Sequence, residues 1–197
     1  MGRKWLLMIA GIFSGLGHPL LITALFIIFA TLQQPAAERS WLISGLIVGG
    51  VIIPISLVNF IRARRGDYTN FDVSDRRQRR SMYIYILGLM AVATIALFIT
   101  HQPTSFRYGV LCCFLMLIFA FLLNFWIKAS LHSAVSFYLS ICMFTLHISF
   151  GWIMIILSVL ISASRLVLKR HTQAEVILGT ALGCLAGACA YWLIIYR

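Results

Sequence analysis

The chain has 197 residues, 61% of them hydrophobic and only 11% charged, with a mean hydropathy of +0.97; a soluble domain carries roughly 25% charged residues. Sixteen Lys and Arg against five acids leave a net charge of +11, and without a soluble domain to carry it this charge points to anionic headgroups or phosphate groups rather than nucleic acid. The apolar runs approach the roughly 20 residues a helix needs to cross a bilayer, and no strand-like alternation suggests a barrel. The reading is therefore all-α: a polytopic transmembrane bundle of six or seven helices, forming a single membrane domain over 1–197.

The first span is expected from about Trp5 to Leu32, too long for the apolar core of a signal peptide and so read as retained. It is interrupted by G-L-G-H-P at 15–19, where Pro19 removes a helix hydrogen bond. His18 there either lines a polar cavity or bonds a carbonyl that Pro19 frees. A short polar turn is expected at 33–39, then a second span from about Trp41 to Ile61 with Gly49, Gly50 and Pro54 inside it.

The longest polar stretch follows, Arg62 to Ser81, with seven arginines and three aspartates. Spans are then expected at about Met82–Thr100 and Tyr108–Trp126. K-A-S-L-H-S-A, residues 128–134, makes Ser130 a natural N-cap for a further helix. Only 31 residues separate His132 from Ser164. A break near Ser149–Gly151 would fold them into a hairpin and return both polar clusters to one face. The last span is expected from about Thr172 to Tyr191, with G-C-L-A-G at 183–187 allowing close helix approach. The five cysteines have no metal-ligand spacing and read as small buried hydrophobes.

Most of the basic residues are expected on one face, which the positive-inside rule would place in the cytoplasm. The most informative stretch is S-R-L-V-L-K-R-H-T-Q-A-E, Ser164 to Glu175, because ionisable groups between apolar segments are costly and usually functional. Guanidinium forks match phosphate oxygens, and preorganised donors stabilise a phosphoryl transition state. Two histidines allow one to attack phosphorus and the other to protonate the leaving oxygen. His171 and Glu175 lie four apart, one helix turn, so the carboxylate can accept a hydrogen bond from the imidazole. T-Q-A-E from Thr172 equally fits a capping box.

These residues resemble the motifs of the type 2 phosphatidic acid phosphatases, membrane relatives of glucose-6-phosphatase and the vanadium haloperoxidases. The family's third motif, S-R, five residues, H, three residues, D, is matched by Ser164, Arg165, His171 and Glu175, with Glu in the Asp position. Its second motif, P-S-G-H, is similar to Ala129, Ser130, Leu131 and His132. Its first, K, six residues, R-P, has only the arginine run before Met82, without the Lys or the Pro. The resemblance covers about 72–190.

It implies a phosphohistidine on His171, His132 as acid to the leaving group and Glu175 as its orienting carboxylate. It also implies phosphate binding by Ser130, Ser164, Arg165, Lys128 and the group Arg76, Arg77, Arg79 and Arg80, with no metal or cofactor. The implied substrate is a lipid phosphate in a membrane, expected to be the bacterial inner membrane. The rival from another class is a lapsed relative that binds lipid as a scaffold. A bis-histidine haem site fails on spacing, since His132 and His147 would lie about 22 Å apart along a helix. A transporter would place its ionisable groups nearer the midplane.

Overall fold

The long apolar runs wind into helices because in lipid only intrachain hydrogen bonds can satisfy the backbone. In a computed structural model, residues 2–34, 41, 43–73 and 75–197 are described. The helices are α1 (Gly2–Leu16), α2 (Pro19–Leu32), α3 (Gly45–Arg64), α4 (Arg76–Ile99), α5 (Thr104–Leu123), α6 (Leu131–Met143), α7 (Ile148–Val167) and α8 (Gln173–Tyr196). No strand occurs among the described residues. Most of the expected turn at 33–39, including Arg39, lies outside them, as does Leu42 of the second span.

Among the described residues, five helices are long and apolar enough to cross a membrane, or six if the broken pair α1–α2 counts as one span. The expected seventh crossing, α6, has only 13 residues, about 20 Å of helix against a hydrocarbon core of about 30 Å. It is instead an interior helix, with ten of its residues buried, four of them serines and histidine. The hairpin is present, but its break falls at 144–147 rather than at Ser149–Gly151. α3 starts with a π-wound stretch, Gly45–Ile52, directly before Pro54; the wider turn accommodates a residue that cannot donate to the normal ladder.

The chain divides into two compact units, one of Met1–Thr23 with Trp126–Arg197 and one of Ala24–Phe125. Within the second, Asp75 caps α4 by accepting from the backbone N–H groups of Arg77 and Gln78 at 2.8 and 3.0 Å. Arg76 Nε donates to the Asn124 carbonyl at 2.7 Å and Asn124 Nδ2 returns a bond to the Arg76 carbonyl at 3.2 Å. The start of α4 is thereby tied to the end of α5.

Within the first unit, α6 lies between α7 and α8. Hydroxyl pairs join α6 to α7, Ser162 to Ser133 at 2.9 Å and Ser140 with Ser158 at 2.8 Å, and their opposed numbering makes the two helices antiparallel. α8 runs parallel to α6 and approaches it through Gly179, Gly183 and Gly187. A Cβ on Gly179 would run into the Ser130 carbonyl, one on Gly183 into the Ala134 carbonyl, and one on Gly187 would lie 2.9 Å from Ile141 Cβ. The motif seen at 183–187 thus extends one turn earlier. The cysteines are free thiols, with Cys112 and Cys142 buried but Cys189 exposed, so the expectation of burial fails for Cys189.

Two outcomes test this arrangement. Gly183→Ala should lower the melting temperature of purified protein through overpacking worth about 1–3 kcal/mol, whereas Gly88→Ala, whose added Cβ meets nothing within 4 Å, should leave it unchanged. Because α8 departs from the 168–172 turn and has 24 residues, reporters placed after Arg170 and after Arg197 should report opposite membrane faces.

Candidate active site

The site is made of helix ends. α7 closes in a Schellman turn, with Lys169 N–H donating to the Leu166 carbonyl and Arg170 N–H to the Arg165 carbonyl, both at 3.0 Å. Lys169 supplies the left-handed residue, φ 53°, where glycine is usual; this costs about 1–2 kcal/mol. Only three residues later Thr172 caps α8, its hydroxyl accepting from Glu175 N–H at 3.3 Å. The Glu175 carboxylate reaches back to Thr172 N–H at 3.1 Å, completing a capping box. The same oxygen, Oε2, lies 2.8 Å from His171 Nδ1. The two roles that the spacing allowed for Glu175 are therefore held together by one atom. Where the carboxylate is ionised it only accepts, so Nδ1 is the donor of this bond, and in the neutral ring the lone pair of His171 is then on Nε2.

α6 delivers the second histidine. Ser130 is its N-cap, accepting from Ser133 N–H at 3.4 Å, and places buried His132 in the first turn. Ser162 donates to Ser133 and Ser133 to Ser130 at 3.2 Å, so the buried Ser130 oxygen accepts from both the backbone and the side chain of Ser133. Ser130 N–H donates to the Glu175 carbonyl at 3.0 Å, so the starts of α6 and α8 are bonded directly. Arg165, 2% exposed, donates through a terminal guanidinium nitrogen to Ser14 Oγ at 2.5 Å. Beside His171 opens a cleft of about 360 Å³ lined by Lys128, Lys169, Arg170, Thr172 and Glu175, with Lys128 Nζ 3.5 Å from the Arg170 carbonyl.

The structure therefore brings Lys128, Ser130, His132, Arg165, His171 and Glu175 to one end of the first unit. Ser164 is also there, but its hydroxyl donates to the Ile161 carbonyl at 2.6 Å and is spent on its own helix. Arg76, Arg77, Arg79 and Arg80 belong to the second unit. Of these, Arg79 is buried and donates through Nε to the Val73 carbonyl at 3.2 Å, Arg76 is held by Asn124, and Arg80 lies over the Phe125 ring, 4.8 Å from its centroid.

Sequence reasoning missed Ser14 and His18 as members of this neighbourhood. The His18 ring stands edge-on to that of His132, centroids 5.4 Å apart and planes at 85°. Its Nδ1 accepts from Leu20 N–H at 3.3 Å, a capping bond that neither expectation for His18 had named. The available signal was the G-L-G-H-P break itself, which sets an imidazole at a helix end.

No protein-family profile, curated protein or solved structure matches the chain. On geometry alone, the site offers an imidazole bonded to a carboxylate, a buried guanidinium, a buried serine hydroxyl at a helix N-terminus, and a second imidazole. That set suits an anion with several oxygens, since helix N-termini and guanidinium both favour such ligands. Among the described residues no three His, Cys, Asp or Glu side chains gather as a metal-holding group.

The dual role of Glu175 predicts separable effects. In 15N-histidine spectra, His171 should titrate as the Nδ1–H tautomer in the parent and in Thr172→Ala, but lose that preference in Glu175→Ala. Both variants should lose about 0.5–2 kcal/mol of stability through the cap.

Proposed function

We propose that this chain is a membrane-embedded phosphatase that hydrolyses a phosphate monoester or diphosphate of a lipid, with the chemistry of the type 2 phosphatidic acid phosphatases its motifs resemble. The observation that carries the proposal is the His171–Glu175 pair at the same helix-end cluster as His132 and buried Arg165.

In this reading Arg165, the Ser130 hydroxyl and the positive end of α6 hold the phosphoryl oxygens, and Lys128 with Lys169 draws the headgroup into the cleft. His171 Nε2 attacks phosphorus, forming a P–N bond as the P–O bond to the lipid breaks. The proton on Nδ1 stays shared with Glu175, which offsets the charge gained by the ring. His132 gives its proton to the departing oxygen. A water then attacks the phosphohistidine while His132 takes the water's proton, and inorganic phosphate leaves with His171 restored. Guanidinium and ammonium groups supply the positive charge for these steps.

The lipid tail lies among apolar helices and the headgroup at the polar helix ends, in keeping with a multi-pass protein of the bacterial inner membrane. Polyprenyl diphosphate, phosphatidylglycerol phosphate, phosphatidic acid and lipid A phosphates all have this form. Sugar phosphates do not, having no tail to place among the helices.

The experiment is phosphate release by detergent-purified protein from a panel of these lipids, with EDTA present throughout. The parent should turn over at least one of them at a rate that chelator does not change, and His171→Ala should fall by about a thousandfold or more while remaining folded. Near-parent turnover by His171→Ala would remove the nucleophile and with it the mechanism; lipid binding without turnover in the parent would favour a lapsed, lipid-binding relative.

A further inference from the structure

The break between α1 and α2 contributes to the site two side chains that the proposed mechanism does not use. Gly17 eases the approach: a Cβ there would run into the Ile161 side chain of α7 and the Phe13 carbonyl, so a larger residue would push Ile161 aside. One turn earlier, Ser14 is 8% exposed and accepts the Arg165 hydrogen bond. One residue later, His18 caps the next helix through Nδ1, and Pro19 follows as the first residue of α2, where its missing N–H costs nothing.

That capping bond has a consequence for His132. With Nδ1 accepting from Leu20 N–H, the His18 ring is held against rotation. The two rings then meet at a separation and angle typical of favourable T-shaped pairs. An imidazole that must aim one nitrogen at a leaving oxygen gains from a neighbour that restricts its ring plane. We propose that His18 is a positioning residue for His132, and that Ser14 positions Arg165, so that the α1–α2 break completes the active site. The proposal rests on the phosphatase reading and deepens it: His18 acts on leaving-group protonation and Ser14 on phosphate binding.

The two effects separate by substrate. A lipid alkyl phosphate expels an alkoxide that needs a proton from His132, whereas p-nitrophenyl phosphate expels a stable phenolate that does not. The informative variant is His18→Asn, because Asn is a good helix N-cap and retains the structural role of His18 without its ring. Alkyl phosphate turnover by His18→Asn should fall about ten- to a hundredfold, a part of what a general acid supplies, while the first-turnover burst of p-nitrophenolate, which precedes the water step that His132 also serves, stays within about twofold in rate. His132→Ala should show the same selectivity more strongly. His18→Phe, which keeps a ring beside His132 but loses the Nδ1 bond that fixes it, should recover a part of the alkyl phosphate rate relative to His18→Asn. Ser14→Ala should raise KM and weaken inhibition by inorganic phosphate for both substrates alike.

Parent-like alkyl phosphate turnover in His18→Asn, or a p-nitrophenolate burst slowed as much as alkyl phosphate turnover in both His18→Asn and His18→Phe, would overturn the positioning role and reduce His18 to a helix cap. Those outcomes leave the phosphatase reading intact, because the parent still turns over. A parent inactive on every phosphate tested removes that reading and this inference together.

Discussion

The close approach of α6 and α8 is the constraint on which the rest of the first unit depends. Gly179, Gly183 and Gly187 remove three side chains from one face of α8; the backbone at Ser130 and Ala134 and the Ile141 side chain occupy the space. Where lipid surrounds the helices, packing of this kind and interhelical hydrogen bonds must supply the association that water supplies elsewhere. The Ser130 N–H bond to the Glu175 carbonyl follows directly from it. So does the position of His132 relative to His171, since each lies within a few residues of that bond. A Cβ at 179 would run into the Ser130 carbonyl, next to that bond.

The second device is economy at the helix ends. A transmembrane helix must satisfy its terminal N–H and C=O groups, and here the groups that do so are also polar groups of the candidate site. The Glu175 carboxylate caps α8 and orients His171 with one oxygen. Ser130 caps α6 and receives the hydroxyl relay from Ser162. The Schellman turn at Lys169 reverses the chain in so few residues that Arg165, in the last turn of α7, and His171, before the first turn of α8, share one neighbourhood. The spacing of five residues between Arg165 and His171 is the length of that turn.

Much of this was legible in the chain. Ser130 as a cap, the T-Q-A-E capping box, the break at G-L-G-H-P and the hairpin between His132 and Ser164 all rest on local rules of turns and caps, and each is present. The hairpin break was misplaced because no proline or paired glycine marks 144–147, and the helix simply ends in a turn there. The α7 cap was hidden for a related reason: Lys169 stands where glycine would have announced it. α6 was expected to cross because its composition is apolar on average; its serines face α7 and its length falls short, and composition reports neither.

What the sequence alone determined is what short-range chemistry decides. Apolar runs must become helices in a bilayer, caps and breakers set their ends, and the i, i+4 spacing couples His171 to Glu175. The tertiary structure decided which distant residues meet. That Ser14 accepts from Arg165, 151 positions away, and that His18 stands against His132, depends on Gly17 admitting α1 to α7. Such contacts are set by the shape of two packed surfaces, and no local pattern at either end encodes them.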